Sequence, residues 1–274
     1  MNNTKKKSPI SWVPTAYFAM GLPFVVLNMV TVLMFKGLEV DDKLITFWTS
    51  LILLPWTLKP LWSLFLELFR TKKFFVIVTQ LITGVTFGLV AFALNLSHFF
   101  SISIALLAIV AFSGATHDIA CDGVYMSELS NEDQAKFIGW QGAFYNIAKI
   151  LATGGLVYLA GYFIELNADA GLLTANKRAW MIILLILSVT MILLGIYHLF
   201  ALPSTQSASS RKTLRSNKEV MKELGQVLMD FFRKTHITYY ICFIILYRFA
   251  EGFVMKIVPL FLKAVPGDGR IGTQ

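Results

Sequence analysis

The chain is poor in charge and in cysteine. Only 15% of its 274 residues are Asp, Glu, Lys or Arg, against 56% hydrophobic. That balance excludes an ordinary soluble domain of this length and fits an integral membrane protein. Its two cysteines, Cys121 and Cys242, both fall in apolar runs, so there is no disulfide framework to read. No Gly-rich phosphate loop occurs, so ATP-driven transport is not indicated and no cofactor is implied. Nothing points to soluble catalytic chemistry, and no catalytic residue is assigned. Strand-type alternation is nowhere sustained, which argues against a β-barrel. The net charge of +8 is not a nucleic-acid signal, because the basic residues lie in loops between apolar runs.

What is present is a series of seven apolar runs, at about 13–35, 44–67, 74–95, 100–127, 137–163, 179–202 and 237–262. Each is long enough for a helix to cross about 30 Å of hydrocarbon. The expected fold class is therefore an all-α integral membrane protein. Lys5, Lys6 and Lys7 precede the first run in the manner of a signal peptide. That run is long, carries Pro14 and Pro23, and shows no clear small-residue cleavage site, so a retained helix is expected. With a cytoplasmic N-terminus, fourteen Lys and Arg fall on the inner side and six on the outer. The positive-inside rule supports that orientation. Residues 204–236 form a polar, basic connection, and 218–234 have helical apolar spacing expected of an amphipathic helix at the cytoplasmic face.

Charge inside the runs carries the functional signal. Asp118 and Asp122 stand one helical turn apart in the fourth run, on one face. Charge in hydrocarbon is costly, so such a pair points first to moving ions, protons or solutes. Two carboxylates sharing one cavity exchange protons as a unit, and His117 beside them is a candidate shuttle. The plainer reading makes both acids structural and His117 a simple hydrogen-bond donor. Lys149 lies too deep in the fifth run to snorkel easily, and either pairs with an aspartate or meets an anionic solute. Lys59, between Pro55 and Pro60, is expected to partner a helix-four aspartate or Glu67. Arg248 and Glu251, at i, i+3 in the last run, either pair with each other or leave Arg248 to a substrate carboxylate or phosphate. Lys256 sits close to the outer end and is expected to snorkel. Tyr17, Asn28, Trp140, Gln141, Tyr145 and Asn146 are able to line a sugar or peptide site. Gly84, Gly88, Gly154 and Gly155 permit close helix approach, while Gly21 and Pro23 permit a bend in helix one.

Six helices, a basic loop and a seventh helix are how a twelve-helix major facilitator begins, its substrate site lying between two six-helix halves. The expectation is a bundle over 1–203, a linker over 204–236, and over 237–274 the first helix of a second half. The loop-like composition after Val265 suggests a truncated sequence. Ala115-Thr-His-Asp118-Ile-Ala-Cys-Asp122-Gly resembles the helix-four motif of AmpG-type muropeptide permeases, to which the acetyl-CoA transporters carry a related motif. Leu54-Pro-Trp-Thr-Leu-Lys59-Pro-Leu-Trp62 resembles their helix-two motif, and the likeness runs over about 14–262. It departs in two places. The acidic motif between helices two and three survives only as Ser63…Glu67…Arg70…Lys72-Lys73, and Tyr125-Met126 stand where many muropeptide permeases carry a basic residue.

The resemblance implies proton-coupled symport of an anionic solute such as a muropeptide. It implies a bacterial inner membrane, no resident cofactor, and a monomer when full length. Asp118, Asp122 and His117 would handle protons. Lys149, Arg248, Tyr145, Asn146 and Gln141 would meet the solute, and Lys59, Glu67 and Glu251 would form structural ion pairs. Three other functions stand beside it. A divalent-metal carrier would use His117, Asp118, Cys121 and Asp122 as mixed ligands. A seven-helix receptor or retinal pump would need a mid-membrane lysine in helix seven, and Lys256 lies too near the end. The third is a structural membrane protein that transports nothing.

Overall fold

The computed structural model describes residues 7–69, 71–203, 225–226, 229–230 and 232–262. Among them there is helix and no strand. The first crossing is one continuous rod. It begins as α1 (Val13–Val25), passes through a π-helical turn at Val26–Val30 and ends as α2 (Thr31–Gly37). Pro23 lies at the end of α1, and Asn28 in the wide turn bonds back to Phe24 O at 3.0 Å. Pro and π-turns are recognised causes of helix bending.

The run at 44–67 does not make one helix. It forms α3 (Asp42–Leu51) and α4 (Leu54–Phe69), meeting at Ile52–Leu53. Pro55 has no N–H to offer the carbonyl four residues back, so the ladder breaks just before it. Asp41 caps α3 by accepting from Lys43 N at 2.9 Å, and Lys36 pairs with Asp42 at 2.7 Å.

Helices α5 (Lys72–Ala93), α6 (Phe99–Glu128), α7 (Asn131–Ile150), α8 (Val157–Leu166) and α9 (Leu172–Ala201) follow. α7 and α8 are one rod interrupted by a second π turn, Leu151–Leu156, which contains Gly154 and Gly155. α10 (Ile237–Leu262) lies against α2 and α3. Among the described residues, five stretches are long and apolar enough to cross a membrane: Pro9–Gly37, Lys72–Ala93, Phe99–Glu128, Asn131–Leu166 and Leu172–Ala201. The chain is an all-α, multi-pass membrane protein. The linker with its expected amphipathic helix falls almost wholly outside the described residues.

In hydrocarbon, helices associate through close packing and interhelical hydrogen bonds. α5 is held by both. A Cβ on Gly84 would stand 2.7 Å from Ile192 Cγ1 and 2.9 Å from Ser188 O, so α9 approaches where only hydrogen fits. On its other side, Thr83 Oγ1 donates to Ser113 Oγ at 3.1 Å, and Ser113 donates to Thr79 O at 2.8 Å. α1 meets α7 at Gly21, where a Cβ would stand 2.8 Å from Tyr145 O. A Cβ on Gly154 would meet nothing within 4 Å among the described residues, so this glycine admits no close neighbour there.

The apolar core comes in two pieces. One holds Val76, Ile77, Ala120 and Val124 with the start of α1; the other holds Phe87, Val90, Leu107 and Val110 with the end of that rod. Between them runs a belt of buried polar groups: Thr79, Gln80 and Thr83 on α5, and Ser113, Thr116, His117 and Asp118 on α6. Polar side chains at this depth need partners within the protein.

Candidate functional site

α6 carries the belt past α1 and α4. Asp118 is buried, and its Oδ2 accepts from Lys59 Nζ at 2.6 Å and from Trp56 Nε1 at 2.9 Å, both on α4. The indole reaches that far because residue 114, one turn earlier, is glycine: a Cβ there would stand 2.9 Å from Trp56 Cζ2. The other carboxylate oxygen, Oδ1, is buried with no hydrogen-bond partner among the described residues. Phe24 of α1 packs edge-on against the same indole, with ring centroids 5.3 Å apart.

Asp122, one turn on, is at the open edge of the bundle. Its Oδ1 accepts from Tyr17 OH of α1 at 2.8 Å, and Tyr17 OH accepts in turn from Gln141 Nε2 of α7 at 2.9 Å. Three helices thus meet at one phenol oxygen. The Tyr17 ring is held edge-on by Tyr125 at 5.9 Å. Gln141, Tyr145 and Lys149 recur at spacing four on α7 and so share a stripe. The Lys149 ammonium lies 5.6 Å from the Tyr145 ring centroid, a cation–π distance. Trp140 and Phe144 stack at 5.8 Å beside that stripe.

The expected residues are therefore brought together in part. Lys59 reaches Asp118. Lys149 makes no ion pair with an aspartate among the described residues: Lys59 occupies Asp118, and Tyr17 and Gln141 screen Asp122. Asn146 turns its amide back to Gly142 O at 2.8 Å, and Asn28 does the same toward Phe24 O. His117 leaves α6 toward α5 instead of toward Asp118's partners, and its Nε2 lies 3.0 Å from Gln80 Nε2. Adjacent helix positions differ by about 100° in direction, so His117, Asp118, Cys121 and Asp122 do not converge. No group of three or more such side chains is placed to hold a metal among the described residues, which removes the basis for the metal-carrier reading. The side chains of Glu67, Arg248, Glu251 and Lys256 lie outside the described residues.

A family model gives this arrangement its setting. The BT1 family model matches residues 20–261, which is most of the chain and includes α2 to α9, all but the first turns of α1 and all but the last residue of α10. The chain belongs to the BT1 family. A BT1-family chain is a membrane transporter related to the major facilitators, a carrier of small molecules. No curated protein and no solved structure matches it.

Sequence reading missed Trp56 as a donor to Asp118 and did not single out Thr15, Gln80 or His198. Gln80 and His198 were visible as polar residues within apolar runs, His198 in the last turn of α9. Trp56 had no such signal, because tryptophan is ordinary in a membrane helix.

Proposed function

We propose that this BT1-family transporter is a proton-coupled symporter of an anionic solute such as a muropeptide. The observation that carries the reading is the Lys59–Asp118 pair. Both donors sit on Oδ2 and Oδ1 is left bare, so a proton can land on Oδ1 without first displacing either donor. Protonation would weaken the hold on Lys59 and free α4 to move against α6. Asp122, held by the neutral groups Tyr17 and Gln141, is the second acid of the pair and lies nearer the open edge.

Lys149 of α7 and Arg248 of α10 supply the positive charge that an anionic solute needs, one from each half. Tyr145 and Gln141 line its path, and Asn146 stands exposed beside them. In the empty carrier Lys149 rests on the Tyr145 ring. The setting is the bacterial inner membrane, with the N-terminus cytoplasmic. The bundle over 1–203 acts as one half of a major facilitator, 204–236 as its basic linker and 237–274 as the start of the other half. The full-length protein acts as a monomer.

Uptake of labelled muropeptide into proteoliposomes tests this. Accumulation should follow an imposed pH gradient and vanish in Asp118→Asn and Asp122→Asn. Accumulation that survives an uncoupler sinks the coupling, and absence of muropeptide uptake sinks the solute. Lys149→Gln should weaken binding while leaving expression near normal.

A further inference from the structure

The open edge of the bundle holds two acceptors and a cation that the described residues leave incomplete. Asp122 is exposed, and Gln141 and Lys149 are half-buried. Tyr17 OH has one hydrogen, which it gives to Asp122 Oδ1 at 2.8 Å. Its contact with Gln141 at 2.9 Å is therefore made by the amide N–H of that residue. That decides which way the amide faces: the carbonyl oxygen of Gln141 is turned away from Tyr17. Neither Gln141 Oε1 nor Asp122 Oδ2 has a hydrogen-bond partner among the described residues. Asp122 makes no ion pair among them either, and Lys59 is bonded to Asp118 instead.

Asp122 and Gln141 bond the same phenol oxygen, so they lie side by side. Together they present one negative charge and two bare acceptor oxygens. At the other end of the α7 stripe, Lys149 has no anion among the described residues and lies 5.6 Å from the Tyr145 ring centroid. A solute that is only an acid satisfies Lys149 and is repelled by Asp122. A solute that is both acid and amine satisfies both ends.

The spacing of the two ends sets the size of that solute. From Gln141 to Lys149 is a little over two helical turns, a rise of about 12 Å. Helical side chains lean toward the N-terminus, and Lys149 leans toward Tyr145, one turn back. The two charges of the site therefore stand about 6–12 Å apart. An extended chain covers about 3.3–3.6 Å per residue. The span takes the two ends of a short peptide, and a single amino acid, whose amine and acid flank one carbon, is too short for it.

We propose that this site binds a zwitterionic peptide of about two to four residues, either free or as the peptide part of a larger solute. Its ammonium lies on Asp122 and Gln141 Oε1, and its terminal carboxylate on Lys149. This rests on the placement of the solute along α7 given above, and adds to it an amine that an anionic solute need not have. An ammonium has three hydrogens to donate and accepts none, which suits two bare oxygens, and bonds to a charged partner are about twice as strong as neutral ones. While the amine occupies Asp122, that acid is closed to a proton, so the exchangeable proton belongs on Asp118.

Calorimetric titration of the full chain in lipid nanodiscs tests the proposal. The probes are a muropeptide with a free amine in its peptide part, the same molecule acetylated on that amine, trialanine, N-acetyl-trialanine and alanine. Acetylation keeps the carboxylate and removes the cation, so it should weaken binding of wild type about tenfold or more. Alanine should bind at least about tenfold more weakly than trialanine, because it loses the bonds at one end. Asp122→Asn should bring the free and acetylated forms to equal affinity, which a merely structural loss would not do. Lys149→Gln should weaken both forms by the same factor, because it acts at the opposite end. Binding of the muropeptide without trialanine, with the penalty for acetylation, would place the peptide within the larger solute. Binding of trialanine with that penalty, but of neither muropeptide, would overturn the muropeptide as solute and leave the zwitterion site standing. Acetylated probes held by wild type as tightly as the free ones, or no binding of any of them, would overturn the proposal.

Discussion

Removing Lys59 is the sharpest test of how the site is held. Lys59→Met keeps roughly the length of the side chain and deletes its charge, leaving Asp118 with Trp56 as its one donor among the described residues. Breaking a fully buried ion pair from one side costs about 3–5 kcal/mol, whereas an exposed pair is worth about 0–1 kcal/mol. The Lys59 side chain is 28% exposed and that of Asp118 9%, so this pair lies nearer the buried limit but below it. A loss of about 2–3 kcal/mol follows. Asp118→Asn should cost about 1–2 kcal/mol, since the amide oxygen still accepts from Trp56 while Lys59 loses its anion. Lys59→Met with Asp118→Asn removes both charges together. It should be more stable than the sum of the single losses by about 1–2 kcal/mol. The assay is reversible unfolding of the full chain in mixed micelles, with all four proteins measured under one condition. Additive losses would refute the reasoning, because they would mean that neither charge senses the other.

Gly114→Ala places a methyl against the Trp56 indole and should cost about 1–3 kcal/mol; a tryptophan emission change should accompany it, and an unchanged spectrum would mean that the indole does not rest there. Gly84→Val should separate α5 from α9 by more than Gly88→Val, whose Cβ meets only Ser188 at 3.1 Å or beyond, and thermal melting of the two variants ranks them. Tyr17→Phe deletes the oxygen shared by Asp122 and Gln141 and should lower stability by about 1 kcal/mol while reducing solute uptake more than tenfold; uptake equal to wild type would remove Tyr17 from the transport path.

Much of the fold was legible because membrane helices declare themselves by run length. What the runs did not show was where a rod bends. Pro55 lies inside a run that composition alone joins end to end, and only its missing N–H divides the run into α3 and α4, which meet at Ile52–Leu53. The π turn at Val26–Val30 leaves no mark of its own in the sequence beyond Pro23 and Asn28. In the site, spacing placed Asp118 and Asp122 on one face, and that is where they lie. Spacing along one helix says nothing about which neighbour supplies a partner. Lys149 and Lys59 are both deep lysines by sequence, and it is the closeness of α4 to α6 at Gly114 that puts Lys59 on Asp118.

The same geometry gives the two acids different surroundings, although they stand one helical turn apart. Asp118 lies between the two apolar clusters, where a formal cation and an indole are fixed on a single oxygen. Asp122 lies at the open edge, and its contacts are a phenol and, through it, an amide, both neutral. A charge change at Asp118 therefore acts on α4 through Lys59, and a charge change at Asp122 acts on α1 and α7 through Tyr17. α1 is the element common to both: Phe24 lies against Trp56, and Tyr17 bonds to Asp122. Between these two residues the rod carries Gly21 and Pro23, and the π turn begins two residues beyond Phe24. A helix that is locally weak between its two points of attachment can respond to one acid without obeying the other. That gives physical content to the proposed coupling of the two acids through one rod.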